Sequence, residues 1–430
     1  MAGARDALTP DSRVIRTAEI VAVGTELLTP FRIDTNSLYL TQQLNDLGID
    51  VRIKSVVGDD PAVMADRFRQ ALASADLVVT TGGLGPTSDD LTREMAAGVL
   101  GLELIEQPDL VQAIERRFER RGMRMPEANR RQAAVPRGAA VLPNPNGTAP
   151  GLWIETGDRV LLLLPGPPRE MQPMFAREVA PRLAARTGLR RVFRRVLKVA
   201  GRAESQVEEI AEPIYSRLTR GDHPIETTIL ASPGLIELHL SGRGEDEARI
   251  ERALDDGIRQ LAAALGPPVF STDGRSIEEV VAAALMERGL TLAAAESCTG
   301  GLVSGRLTDV PGSSAWFLGA VVAYANAIKM EALGVPQSLL AAHGAVSEPV
   351  GRAMAEGVRS AFHAGVGVGI TGIAGPAGGT PEKPVGTVVI AVATAVETSV
   401  RTLHLAGDRS VIRQHSVVAA LDAVRCAIGG

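Results

Sequence analysis

The chain has 430 residues, of which 45% are hydrophobic and 22% charged, and its formal net charge is −5. That length exceeds one ordinary core and predicts two or three globular domains. An acidic balance with 3% aromatic residues argues against a nucleic-acid partner, which would meet a basic face with interleaved aromatics.

Residues 1–16 read as a flexible polar tail without the apolar segment of a signal peptide. A first block follows over 17–188. Residues 18–23 form a strand-like run. Asp34 caps a helix with Leu40, Leu44 and Leu47 inward, and Gly48 stops it. Val51 and Ile53 alternate as a strand, and Asp60-Pro61 opens a helix facing inward through Met64, Phe68 and Leu72. Residues 77–80 and 160–164 are continuous apolar strands. Strands buried on both faces, alternating with helices, predict a parallel sheet covered on each side. The basic run from Arg116 to Arg121, broken by Glu119, reads as a solvated helix face.

The chemistry of this block centres on Thr80-Thr-Gly82-Gly83-Leu-Gly85-Pro-Thr87-Ser-Asp89-Asp90-Leu-Thr92, which leaves a strand and opens a helix. Glycines there free backbone N–H groups for phosphate. Asp89 and Asp90 add carboxylates beside it, as a divalent cation held between protein and nucleotide requires. Charge pairing with the helix dipole is the plainer role for the two acids. Glu26 and Asp34 flank the exit of the first strand and can join the acidic group. Two further rigid loops carry Asn146, Gly147 and Thr148, and Pro165, Gly166 and Arg169. The second leaves a buried strand, where open α/β sheets bind ligands, and its arginine suits a phosphate.

A small α+β unit is expected over 189–268: a strand at 192–199, a helix at 204–218, a strand pair at 227–230 and 235–240, and a second helix. Gly266-Pro-Pro268 reads as a linker. A third block, over 271–428, is again α/β. Ser276 and Glu279 make a capping box, strand-like runs begin at Leu290, Leu318, Val366 and Val385, and a last helix spans 409–427.

In the third block, Glu296-Ser297-Cys298-Thr299-Gly300-Gly301 follows an apolar strand. A nucleophile beside free backbone N–H groups is what acyl transfer needs. Ser297 is the candidate nucleophile, and Cys298 is its rival because thiols are stronger nucleophiles at neutral pH. The six histidines show no metal-ligand pairing, and His343 alone is a candidate loop residue near the site. A serine without histidine can use a neutral lysine, and burial would bring Lys329 toward neutrality; a surface lysine is the plainer reading. Thr371, Gly372 and Gly375 sit in a Gly-rich segment suited to an anion nest. Its Gly367-x-Gly369-x-x-Gly372 spacing is formally a dinucleotide fingerprint, but no helix follows to receive a pyrophosphate. Arg409 and Arg413 open the last helix and would suit a phosphate. The block therefore reads as an amidase for a phosphorylated small molecule.

Glu-Ser-Cys-Thr-Gly-Gly, Gly312-Ser-Ser-Ala-Trp-Phe317, Tyr324-x-Asn-x-x-Lys329, Gly344-Ala-Val-Ser-Glu348, Gly372-Ile-Ala-Gly-Pro376 and Gly407-Asp-Arg409 resemble the nicotinamide mononucleotide deamidase domain of the CinA (competence/damage-inducible) family. The resemblance implies a serine nucleophile, Ser297, with Lys329 and Tyr324 beside it, and no cofactor. It implies nicotinate mononucleotide and ammonia as products, returning a NAD breakdown product to synthesis. The first block resembles the family's molybdopterin-binding, MoCF/MogA-like domain, which implies metal-dependent ADP-ribose pyrophosphatase activity with magnesium, manganese or cobalt. One departure is local: the family often has a glycine soon after Glu-Leu-Leu, whereas this chain reads Glu26-Leu-Leu-Thr-Pro-Phe31. The resemblance also suggests a homodimer.

Two other classes stay open: a binding module whose first block merely holds a pterin or nucleotide, and a competence or DNA-damage accessory. Two cysteines far apart, Cys298 and Cys426, fit a reducing cytoplasm, and no apolar run is long enough for a membrane helix.

Overall fold

A computed structural model describes residues 14–188, 191–221 and 224–429. Most of the expected N-terminal tail and His223 lie outside them. The chain forms two compact units, each described by itself. One runs to Val192 and includes Arg243–Glu247; the other comprises Phe193–Gly242 and the chain from Ala248.

The first unit is built on β1 (Thr17–Val23), β2 (Asp50–Val57), β3 (Leu77–Thr81), β4 (Leu104–Glu106), β5 (Ala134–Pro136), β6 (Ala140–Leu142), β7 (Gly151–Thr156) and β8 (Arg159–Leu164). Six of these form one sheet in the order β2-β1-β3-β8-β7-β6, while β4 and β5 pair separately. Four strands, β2, β1, β3 and β8, run parallel. The apolar runs explain the centre: β1, β3 and β8 are buried almost throughout, with aliphatic clusters on both faces. The helices read at Asp34 and Asp60 form as Thr35–Asp46 and Pro61–Ser74, each capped by its aspartate.

The expectation of a purely parallel sheet fails at one edge. Gly157-Asp158 joins β7 to β8, and so short a link makes a hairpin, whereas a parallel crossover needs a dozen residues or more. β7 and β6 are therefore antiparallel additions that sequence reading omitted. Val51 and Ile53 lie on the edge strand β2, as the alternation predicts a strand there, and Ile53 is 43% exposed.

The second unit holds two sheets. β9 (Arg191–Ala200), β10 (Ile225–Ser232), β11 (Leu235–Gly244) and β12 (Val269–Ser271) run in the order β10-β11-β9-β12. The helices Glu204–Thr219 and Glu247–Leu265 share an apolar cluster with this sheet. The other sheet orders β14 (Phe317–Val322), β13 (Leu292–Glu296), β15 (Val366–Gly372), β16 (Thr387–Ala393) and β17 (Thr398–His404). β14, β13 and β15 are parallel; β16 and β17 return antiparallel. β17 went unread because its outward Ser399, Arg401 and Thr402 make it an exposed edge. The α/β class holds for both large blocks, with an α+β element between them.

The glycine spacing at Gly367 and Gly369 has a packing cause. A Cβ at either position would fall 2.3 Å from Ala355 O or 2.7 Å from Ala355 N, on the helix Glu348–Ala361. The glycines let β15 approach that helix, and the segment after it is a loop leading to β16, so no dinucleotide turn forms.

Candidate functional sites

At the carboxyl end of β13, Ser297 follows the last strand residue and is 8% exposed. Its amide donates to Ile370 O on neighbouring β15 at 2.9 Å, which fixes the loop against the sheet. Lys329, from the helix Asn326–Leu333 after β14, reaches back beneath it. Lys329 is 1% exposed, and its Nζ lies 3.2 Å from Ser297 Oγ. The same nitrogen donates to Ala323 O at 2.7 Å and Tyr324 O at 3.2 Å. It has no carboxylate partner among the described residues. Burial pushes its ammonium below the ordinary lysine range. Cys298 is also buried, and desolvation pushes its thiol up to about 11, against a thiolate nucleophile.

Glu296 organises this loop, a role that no sequence pattern signals. It is fully buried at the end of β13, where an acid is ordinarily unfavourable. Its carboxylate accepts from Gly301 N (2.9 Å), Val303 N (3.2 Å), Ser304 N (2.9 Å) and Ser304 Oγ (2.5 Å). It thus serves the start of the helix Leu302–Thr308 from inside the protein. Glu296→Ala is expected to destabilise the second unit by about 3 kcal/mol, since each buried donor left unpaired costs ~1–3 kcal/mol. A denaturant midpoint within error of wild type would refute that.

The geometry redistributes the expected anion-binding groups. The amides of Gly300 and Gly301 are already committed, to Ser297 O and Glu296. Those of Cys298 and Thr299 have no oxygen acceptor among the described residues and face the Cys298 sulfur, and the Thr299 hydroxyl is buried without a partner. Arg413 donates to Cys298 O at 3.1 Å and Thr299 O at 2.8 Å, so it holds the loop from behind. Arg409 donates to Gly375 O at 2.8 Å and Tyr324 Oη at 3.0 Å. The start of the last helix is capped by Asp408. Thr371 donates its hydroxyl to Ala345 O at 2.9 Å. Gly372 admits a close approach, since a Cβ there would lie 3.1 Å from Cys298 Sγ. Tyr324 meets Lys329 through its carbonyl, while its ring is 61% exposed and its hydroxyl is held by Arg409. His343 ends an outer helix, where its carbonyl accepts from Lys383 Nζ at 2.8 Å.

In the first unit, the ends of β1, β3 and β8 open on a cleft of about 710 Å³. Gly82, Gly83, Gly85, Asp89, Asp90, Thr148, Pro165 and Gly166 line it, with Glu26 and Asp34. Gly82, at φ +107°, passes so near β1 that a Cβ would fall 2.1 Å from Val23 O. The amides of Gly83, Leu84 and Gly85 have no acceptor among the described residues, as an anion nest requires. Thr87 is exposed and outside the lining, and it donates its amide to Asp90 Oδ2 at 2.9 Å and its hydroxyl to the same oxygen. Asn146 donates to Arg169 O at 3.1 Å, tying the two rigid loops together. A Cβ on Gly147 would overlap the Glu170 carboxylate. Arg169 itself is exposed and stands outside the lining.

Several supports were missed. Arg93, fully buried, donates to Leu84 O at 2.7 Å and Gly85 O at 3.3 Å. Arg131 donates to Thr87 O and to Asp90 O, and pairs with Glu94 at 2.8 Å. Gln132 donates to Leu84 O at 3.3 Å. Asn36 donates to Thr81 Oγ1 at 2.9 Å and Gly166 O at 2.6 Å, joining the strand exits. The basic run is only partly solvated: Arg117 donates to Pro145 O at 2.6 Å and, with Arg120, lines a separate cavity. Among the described residues no three His, Cys, Asp or Glu side chains converge as a metal cage.

Known protein families match most of the chain. The model of the CinA C-terminal domain matches residues 274–428, that of the damage-inducible protein CinA KH domain residues 194–271, and that of a probable molybdopterin binding domain residues 19–185. A CinA-like protein of Koribacter versatilis is 46% identical over 412 residues, spanning 95% of this chain and 99% of that protein. The chain belongs to the CinA family. A CinA-like protein of Acidobacterium capsulatum is 45% identical over the same share of each chain. Among solved structures, the competence/damage inducible protein CihA of Agrobacterium tumefaciens is 36% identical, covering 37% of this chain and 99% of that one, with a TM-score of 0.35. The protein CinA of Thermoplasma acidophilum is 34% identical, covering 37% and 95%, with a TM-score of 0.36. The Ser297–Lys329 pair falls in the segment matched by the CinA C-terminal model, and the Gly-rich cleft in that matched by the molybdopterin-binding model.

Proposed function

We propose that this CinA-family chain hydrolyses the amide of nicotinamide mononucleotide through Ser297 and Lys329. The contact that carries the reading is a buried Lys329 Nζ 3.2 Å from Ser297 Oγ, with two carbonyls taking its other directions. A neutral amine has two N–H donors and one lone pair. Ala323 O and Tyr324 O take the donors, and the lone pair is left to accept the serine proton.

Lys329 takes the Oγ proton as Oγ attacks the carboxamide carbon. The ammonium then protonates the leaving nitrogen, releasing ammonia and leaving an acyl ester on Ser297. Water, deprotonated by the regenerated amine, attacks that ester, and the ammonium returns its proton to the departing Ser297 Oγ, releasing nicotinate mononucleotide. The amides of Cys298 and Thr299 are the candidates to receive the oxyanion. The choice of substrate rests on the motif resemblance, and no cofactor is required. Such an enzyme would act in the cytoplasm in NAD recycling, in keeping with the absence of any described helix long and apolar enough to cross a membrane. Ammonia release from nicotinamide mononucleotide by the purified protein tests this; a folded protein that releases none refutes it.

For the first unit the favoured reading is a metal-dependent ADP-ribose pyrophosphatase. Its support is a cleft pairing three free amides with carboxylates at Asp89 and Asp90. The described residues form no closed metal cage, but magnesium-type ions take only one or two carboxylates and complete their shell with substrate phosphate and water. Asp89 and Asp90 would hold such an ion, whose role would be to neutralise charge on the bridging phosphates. Asp90→Ala is expected to lower ADP-ribose turnover at least about tenfold and to spare ammonia release. Turnover unchanged both by this substitution and by chelator would leave the cleft as a binding module. A nucleic-acid role has less support: residues 194–271 contain no Gly-x-x-Gly clamp, although relatives carry competence/damage names.

A further inference from the structure

The segment Thr29-Pro-Phe-Arg-Ile33 borders the Gly-rich cleft. Leu27, Arg32 and Ile33 belong to the cleft lining. Around them Leu28 is 61% exposed, Phe31 87%, Ile33 82% and Leu38 59%. Of the eight phenylalanines in the chain, Phe31 is the exposed one; the others are buried or half-buried. A cluster of large apolar side chains in water marks a contact surface.

The loop is anchored. It leaves a 3-10 turn at Thr25–Leu28, and Thr29 donates both its amide and its hydroxyl to Glu26 O, at 3.2 and 2.6 Å. Pro30 then restricts the backbone before Phe31. The cleft floor supplies the amides of Gly83, Leu84 and Gly85, which suit phosphate, but no Phe, Tyr or Trp lines it. A nucleotide whose phosphates lie on those amides would leave its base without an aromatic platform, unless the rim supplies one.

We infer that Phe31, with Ile33 and the Arg32 guanidinium beside it, covers the base of the nucleotide bound in this cleft. The inference rests on the nucleotide reading of the first unit. It makes Phe31 a specificity residue that acts on the base and leaves the phosphate site alone. Base–aromatic stacking tolerates any base, so the loop should favour nucleotides over sugar phosphates without selecting among bases.

The test compares AMP with ribose 5-phosphate, which differ by the base alone. Their binding to the full chain is measured by calorimetry with magnesium present. Wild type is expected to bind AMP more tightly. Phe31→Ala should weaken AMP by roughly five- to hundredfold, the range for a lost stack, and shift ribose 5-phosphate less than about twofold; Phe31→Trp should retain AMP. Equal weakening of both ligands, or of neither, overturns the inference. A wild type that binds ribose 5-phosphate as well as AMP overturns the base platform but keeps the phosphate site. A wild type that binds neither overturns the nucleotide reading of the cleft itself. Should Phe31→Ala keep its AMP affinity yet sediment as a smaller species, the patch belongs to a second copy of this chain, and the inference falls.

Discussion

Ser297→Ala is expected to reduce ammonia release from nicotinamide mononucleotide to background, a loss of at least about 10³-fold, while the protein stays folded. The reason is local. Ser297 is the hydroxyl in contact with Lys329, and alanine leaves the amine nothing to deprotonate. Little structure depends on the Oγ, because the loop is held by the Ser297 amide, by Glu296 and by Arg413. The adjacent thiol should not substitute. Cys298 is buried, and its thiol stays protonated near neutrality because desolvation raises it to about 11. Cys298→Ser, measured alongside, is therefore expected to keep most of the activity. Residual turnover in Ser297→Ala, with loss in Cys298→Ser, would move the nucleophile to the thiol. Metal-dependent hydrolysis in the first unit should survive Ser297→Ala, since that substitution lies in the other compact unit.

What could be read in the sequence followed the periodicity of burial. Runs such as Leu292–Glu296 and Leu77–Thr81 are buried on both faces, so their composition alone marks them as central strands. The loops leaving them were readable for the same reason, since glycines, a serine and paired acids stand where an α/β sheet presents its ligands. The edge strand β17 was not: it carries Ser399, Arg401 and Thr402 facing water, and its pairing is decided by neighbours distant in sequence. The supports of both sites were invisible for a related reason. No local pattern marks Arg93 or Arg131, yet both guanidiniums donate to carbonyls of the Gly-rich loop. Glu296 reads as an ordinary acid after a strand, yet it serves four donors of one loop. Arg409 and Arg413 were read as waiting for a phosphate. Their first partners are the protein's own carbonyls and the Tyr324 hydroxyl, which an anion would have to share or displace.

Lys329→Met is expected to lower the deamidation rate by about 10²- to 10⁴-fold, the usual contribution of a positioned base. Methionine fills much the same volume without a titratable group. The pH dependence supplies the more discriminating measurement. In the folded chain burial sets the Lys329 pKa below the ordinary 10.5. Only the neutral amine can take the serine proton, so kcat/KM should rise with pH through an apparent pKa below that value. Stability carries the same signature with a fixed sign. Above pH 10.5 the amine is neutral in both folded and unfolded chains and adds nothing. As pH falls from there, the unfolded chain takes up its proton first, so folding becomes less favourable until the folded amine is also protonated. The wild type should therefore lose stability relative to Lys329→Met across that window, and the difference should level off below the folded pKa. A stability gap between the two proteins that stays flat with pH would mean that Lys329 titrates like a surface lysine. The base role would then have to be reassigned, with Tyr324, whose hydroxyl already meets Arg409, the next group to examine.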